Sequence, residues 1–178
     1  GVGGLSLLPA VSAVPPNEDI CYLADEAFSP YGEKTSTEIL DRARSITEKL
    51  LALECKLIVL ACNPATTQVI NHPPKEFDFP FDGIEPAIKP AAIASKKGVV
   101  GVLATKGTLN SQLFHKNSLE NGSKTKFIEQ IGTGLVECVE NNKINDAKTY
   151  ALLETYLNRM IDDGMDTLVL GCTHYPFL

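Results

Sequence analysis

The chain has 178 residues, of which 44% are hydrophobic and 21% charged, and its formal net charge is -6. This length suffices for one large or two small α/β domains with a buried core. The acidic balance argues against nucleic-acid binding, which needs clustered Lys and Arg at the phosphates. The pair Lys96-Lys97 reads as a solvated turn. No apolar run approaches membrane-spanning length, and the apolar start lacks the basic region of a secretory signal. The 5 cysteines are odd in number and none forms a C-x-x-C pair. Their spacing therefore gives neither a disulfide framework nor a zinc site, and free thiols in a reducing, cytoplasmic setting fit best.

In chain order, Gly1-Val2-Gly3-Gly4 is a glycine-rich loop of the kind that normally follows a strand and opens a helix. The run 19–24 predicts a short strand ending at Asp25, followed by the loop Ser29-Pro30-Tyr31-Gly32. Thr35 and Glu38 stand at capping-box spacing ahead of Ile39, Leu40, Ala43, Ile46, Leu50 and Leu51, which predicts a helix. A strand over 57–61, a turn at Asn63-Pro64 and a helix over 65–71 come next. The segment 81–86 marks a change of unit, which divides the chain into a first domain over 1–84 and a second over 85–178.

The pattern then restarts with a helix over 87–95, a strand over 99–104 and the loop 105–108. A helix over 111–119, a strand over 125–129, helices over 135–141 and 146–162 and a last strand over 168–171 complete it. Alternating strands and helices predict an α/β protein with largely parallel sheets. The likeness of Ile58-Val59-Leu60-Ala61-Cys62-Asn63 to Leu168-Val169-Leu170-Gly171-Cys172-Thr173 points to two related halves.

Cys62 and Cys172 each end such a run, where the C-terminal tip of a buried parallel strand carries chemistry. Two thiols on opposite faces of one substrate suit proton removal on one side of a carbon and return on the other. A thiol of ordinary pKa ~8.5 is readily tuned, so a thiolate and a thiol can coexist near neutral pH. Cys21, Cys55 and Cys138 read as small buried hydrophobes instead. Asn63 offers an amide beside Cys62, and Thr173 and His174 add a hydroxyl and an imidazole beside Cys172. His72 and His115 read as solvated bystanders. Glu140 fits either a polarising carboxylate or a helix-surface one, while Thr105 and Thr108 after a strand can hold a carboxylate.

The set of motifs resembles the aspartate/glutamate racemase family, and within it the bacterial glutamate racemases. It comprises Gly1-Val2-Gly3-Gly4-Leu5-Ser6, Ala24-Asp25, Pro30-Tyr31-Gly32, Ala61-Cys62-Asn63 and Gly83-Ile84-Glu85-Pro86. It continues with Leu103-Ala104-Thr105-Lys106-Gly107-Thr108, Val139-Glu140 and Gly171-Cys172-Thr173-His174-Tyr175-Pro176, all in the family's order. The resemblance implies two Rossmann-like or flavodoxin-like parallel-sheet domains with the site between them. It also implies racemisation of glutamate without cofactor or metal, supplying D-glutamate for peptidoglycan, and a possible homodimer. Cys62 and Cys172 would be the catalytic thiols, with His174 assisting Cys172 and Glu140 in support. Tyr31, Gly32, Asn63, Thr105, Thr108 and Thr173 would contact substrate.

The departures set further expectations. In the family Asp-Ser precedes the glycine-rich start, and the chain continues past His-Tyr-Pro to complete the first domain, so this chain is expected to be incomplete at both ends and to racemise poorly or not at all alone. Pro64 stands where the family has Thr and lacks both of its donors. Pro9 falls within the expected first helix, Pro73-Pro74 near another helix end, and Asp82 in a stretch expected to be apolar. A related aspartate-type racemase, or a non-catalytic fragment binding acidic amino acids, are the alternative readings.

Overall fold

The computed structural model describes residues 1–14, 17–71, 79–121 and 125–178. A 3-10 turn over Val2–Ser6 leads into helix α1 (Leu8–Ala13), with Pro9 in its first turn. Pro9 does not interrupt this helix, because a first-turn N–H has no intrahelical partner to lose. Helix α2 (Ser36–Leu51) starts at the capping box its sequence predicts: the Thr35 N–H donates to Glu38 Oε2 at 2.8 Å, and the Glu38 N–H donates to Thr35 Oγ1. Ile39, Ala43 and Leu50 form its buried stripe.

Strand β1 (Ile58–Leu60) runs into helix α3 (Asn63–Asn71), and strand β2 (Phe81–Gly83) returns in parallel beside β1. Helix α4 (Ile88–Ala94) precedes a second sheet built from β3 (Val99–Ala104), β4 (Lys126–Ile131) and β5 (Thr167–Gly171). The short helix α5 (Lys106–Leu109) and α6 (Gln112–Asn121) connect β3 to β4; α7 (Leu135–Glu140) and α8 (Ala147–Asp162) connect β4 to β5. The strand order is β4-β3-β5, all parallel, with β3 central.

Strand β3 alternates between two cores, as the two-residue period of a strand requires. Val100, Val102 and Ala104 pack with Ile88, Leu109, Phe114 and Val169 on one face. Leu103 faces the other way, toward Ile128, Leu135, Met160, Cys172 and Tyr175. Burying one such Val or Leu stabilises by ~1.5–3 kcal/mol, so this double-sided core fixes the β5 tip where Cys172 begins. Gly134, at φ 84°, supplies the left-handed residue that turns the chain into α7.

Several expectations are corrected. Residues 19–24 form no strand, because β1 pairs only with β2 among the described residues and nothing else offers a ladder. Ile20, Tyr22 and Leu23 stay partly exposed there, and Cys21 is exposed rather than buried. Residues 81–83 are a strand rather than only a boundary, and Asp82 points outward on it, accepting the Gly83 N–H at 2.8 Å. The expected loop 105–108 is largely the helical turn α5, capped by Thr105. Cys138 is buried as expected, Cys55 only partly so. His115 is exposed, with its ring edge-on to Phe114. His72, Pro73 and Pro74 lie outside the described residues.

Candidate active site

Each thiol sits where a strand ends. Cys62 follows β1, and its carbonyl accepts the Thr66 N–H at 2.8 Å, which makes Cys62 the residue that opens α3. Burial pushes the Cys62 thiol up, while the Ala65 N–H in the first helical turn favours its thiolate. Pro64 occupies that same first turn without breaking it. Cys172 follows β5 and is buried; its carbonyl accepts the Tyr175 N–H at 3.1 Å. Burial pushes the Cys172 thiol up to about 12, countered by the His174 backbone N–H and reinforced by nearby Cys62 and Glu140. The two sulfur atoms therefore lie within electrostatic reach of each other.

His174 joins Cys172 to Glu140. Its Nδ1 stands 3.7 Å from Cys172 Sγ, and its Nε2 stands 2.6 Å from Glu140 Oε1. Burial pushes the Glu140 carboxyl up, but the hydrogen bond and charge of His174 outweigh it and hold Glu140 below its ordinary value. Ser29 Oγ donates to the same Oε1 at 3.4 Å. Helix α7 presents Glu140 at its last position, where its carboxylate meets the His174 ring.

The binding candidates cluster at the same place. Tyr31 lies in a 3-10 turn over Tyr31–Glu33, near enough to Cys62 for their charges to interact. Its hydroxyl donates to Asp25 Oδ2 at 2.6 Å, and burial followed by that bond pushes it well above its ordinary pKa. Asp25, only 8% exposed, is gripped by the Arg42 guanidinium, whose Nε donates at 2.8 Å. A Cβ on Gly32 would come within 2.9 Å of the Thr105 Cβ, and one on Gly107 within 3.0 Å of the Gly32 carbonyl oxygen. Close packing at these glycines joins the Tyr31 turn to α5. The Thr105 and Thr108 hydroxyls bond each other at 3.0 Å.

Asn63 and Thr173 cross between the strand tips. Asn63 Nδ2 donates to the Gly171 carbonyl at 2.7 Å, and Thr173 Oγ1 donates to the Ala61 carbonyl at 3.3 Å. Asn63 is 5% exposed, and its Oδ1 makes no hydrogen bond among the described residues. The ten expected residues thus form one connected set.

Sequence reasoning missed Ser29, Gly3 and the Asp25–Arg42 pair. A Cβ on Gly3 would come within 2.6 Å of His174 Cε1 and Thr173 Oγ1, so glycine there makes room for the ring. The glycine run held that signal; nothing local marked Arg42. Among the described residues no group of three or more His, Cys, Asp or Glu is arranged to hold a metal ion. Likewise, among the described residues no helix is long and apolar enough to cross a membrane.

Two thiols at parallel strand tips, one of them beside an imidazole that meets a carboxylate, form the most chemically loaded cluster of this α/β fold. The chain belongs to the Asp/Glu/hydantoin racemase family, whose profile matches residues 6–178. It is 46% identical over its full length to the glutamate racemase of Ectopseudomonas mendocina, covering 68% of that protein. It is 44% identical to that of Ralstonia pickettii, covering all of this chain and 63% of that one. The Escherichia coli glutamate racemase, solved with L-glutamate and the activator UDP-MurNAc-Ala, superposes with a TM-score of 0.87 at 32% identity. That match covers 100% of this chain and 68% of the other. The Bacillus anthracis enzyme gives a TM-score of 0.85 at 32% identity, covering 99% of this chain and 66% of that one. The chain thus spans roughly two thirds of the length of these relatives and has the racemase fold.

Proposed function

We propose that this chain carries the two-thiol site of a cofactor-independent glutamate racemase, interconverting L- and D-glutamate. The observation that supports it most is the convergence of Cys62 and Cys172, from two separate sheets, with His174 and Glu140 behind one of them. The α-proton of an amino acid is weakly acidic, so its removal needs a strong base. Burial makes each thiolate such a base by raising its conjugate thiol. One thiolate takes the α-proton, leaving the electron pair on the α-carbon, and the opposite thiol donates a proton to the other face. Opposite chirality reverses the roles. His174 Nδ1 accepts the Cys172 proton to generate the thiolate on that side.

Tyr31, Gly32, Asn63, Thr105, Thr108 and Thr173 are proposed to hold the substrate. The open Oδ1 of Asn63 supports this, since a buried acceptor needs a donor. The glutamate racemase relatives favour glutamate over aspartate. Supply of D-glutamate for peptidoglycan, a cytoplasmic setting, a domain boundary near residue 84 and pairing with a second copy belong to the same proposal. Circular dichroism of L-glutamate, D-glutamate and L-aspartate incubated with the chain tests it. Convergence of both glutamate samples on the racemate, with aspartate unchanged, is expected. Optical activity that persists in both glutamate samples would overturn the reading.

A further inference from the structure

The hydrogen bonds of Asn63 and Thr173 are each other's counterpart. The residue after Cys62 donates to the carbonyl just before Cys172, and the residue after Cys172 donates to the carbonyl just before Cys62. The donors and acceptors are 108 and 112 residues apart in sequence, and β1 and β5 belong to different sheets. Among the described residues no strand ladder therefore sets how far apart the two tips lie. Both side chains are buried, so each carbonyl that leaves its strand finds its partner beside the opposite thiol. Other close approaches at this junction are the packing of Gly32 on Thr105 and Gly107 and of Gly3 on His174 and Thr173, and the Ser29–Glu140 hydrogen bond; none of them ties one strand tip directly to the other.

From this reciprocity we infer that Asn63 and Thr173 form a two-way latch that fixes the separation of the Cys62 and Cys172 sulfur atoms. The inference rests on the two-thiol reading of the site and adds a role that substrate contact does not supply. Proton transfer from two sides is sensitive to such a spacing, because a misplacement of about 1 Å can cost ~10²-fold in rate. Both residues act here as positioning residues. Each bond also joins the two sheets, so loss of either one loosens both thiols at once.

Cross-linking with a ladder of bifunctional thiol-reactive reagents (bis-methanethiosulfonates, each sulfinate leaving as a disulfide forms) of increasing length tests the latch without requiring turnover. Peptide mapping resolves the Cys62–Cys172 product from those of the other three thiols. The parent chain is expected to show a sharp optimum in linker length. Asn63→Asp and Thr173→Val each remove one donor with little change in shape, and should raise the off-optimum yield about threefold to tenfold. Thr173→Ser keeps the hydroxyl and should restore the sharp profile. A profile unchanged in both donor-deleted variants, with melting temperature retained, would overturn the latch.

A second measurement covers variants that fail to fold. In the parent chain the Asn63 side-chain amide protons should exchange with solvent several-fold more slowly than those of exposed Asn142. Equal rates would overturn the latch as well. Racemisation is measured separately, so failure of the proposed activity and failure of the latch give different results.

Discussion

Nε2 of His174 lies 2.6 Å from Oε1 of Glu140, and that contact sets which ring nitrogen faces Cys172. A carboxylate only accepts, so in the neutral imidazole Nε2 carries the hydrogen and Nδ1 keeps its lone pair. That lone pair stands 3.7 Å from the Cys172 sulfur. A thiol pushed up to about 12 by burial holds its proton firmly at neutral pH. The orientation imposed by Glu140 is thus what gives Cys172 a neighbouring base, whereas Cys62 relies on the α3 N-terminus.

Glu140→Gln tests this dependence. The amide keeps the shape but loses the negative charge that stabilises the imidazolium formed when His174 accepts a proton. Turnover should fall about 10- to 100-fold, the worth of a charge-assisted hydrogen bond, with KM little changed. Alkylation of Cys172 at neutral pH should slow while that of Cys62 does not. Because the folded-state value of Glu140 lies below its ordinary one, the bond's stabilisation is present above the ordinary carboxylate range. It is lost as pH falls through the lower folded value.

Arg42→Ala should weaken the fold through Asp25. The 8% exposed carboxylate would keep the Tyr31 hydrogen bond but lose its cation. Arg42 is itself 33% exposed, which moderates the loss. A destabilisation of about 1–3 kcal/mol is expected, as for a buried group left unsatisfied. Urea unfolding of Arg42→Ala, with Arg42→Lys as a partial rescue, measures it.

Asp166 ties the turn before β3 to the start of β5. It accepts from Ser95 Oγ at 2.5 Å and from the Lys96 and Lys97 backbone N–H groups at 2.8 Å each. The Ser95 bond first, then the Lys97 N–H, hold its carboxyl down from 3.8 to about 2. Its folded value is depressed, so the stabilisation is complete above pH 3.8 and disappears as pH falls through about 2. Asp166→Asn should melt below the parent at pH 7, and the two melting temperatures should converge at the acid end of that window.

Gly3→Ala should impair turnover more than stability. The added methyl meets the His174 ring and the Thr173 hydroxyl at 2.6 Å, so the ring must move away from Cys172 or Glu140. A fall in kcat with retained far-ultraviolet circular dichroism is expected. Unchanged kinetics would show that His174 tolerates displacement.

Much of this architecture is written locally. The Thr35 and Glu38 pair announced α2, and the aliphatic run ending at Ala104 announced β3, because capping and burial act within one element. Residues 19–24 misled for the opposite reason: strand character needs a neighbouring strand, and none pairs there among the described residues. Strand β2, with Asp82 on its outward face, carries too weak an alternation over three residues to be read alone. The thiols were legible at their strand tips. The support of Tyr31 by Asp25 and Arg42, and the choice between surface and site for Glu140, depend on contacts across 17 and 34 residues that no periodicity encodes.

The two-thiol account is tested most directly by α-deuterium incorporation into L- and D-glutamate in D₂O, followed by proton NMR. The parent chain is compared with Cys62→Ser and Cys172→Ser. The account predicts exchange in the parent, however slow, and a loss of racemisation by about 10²–10⁴-fold in each variant, the usual worth of a positioned acid or base. Undiminished exchange in either variant, or none in the folded parent with either enantiomer, would contradict it.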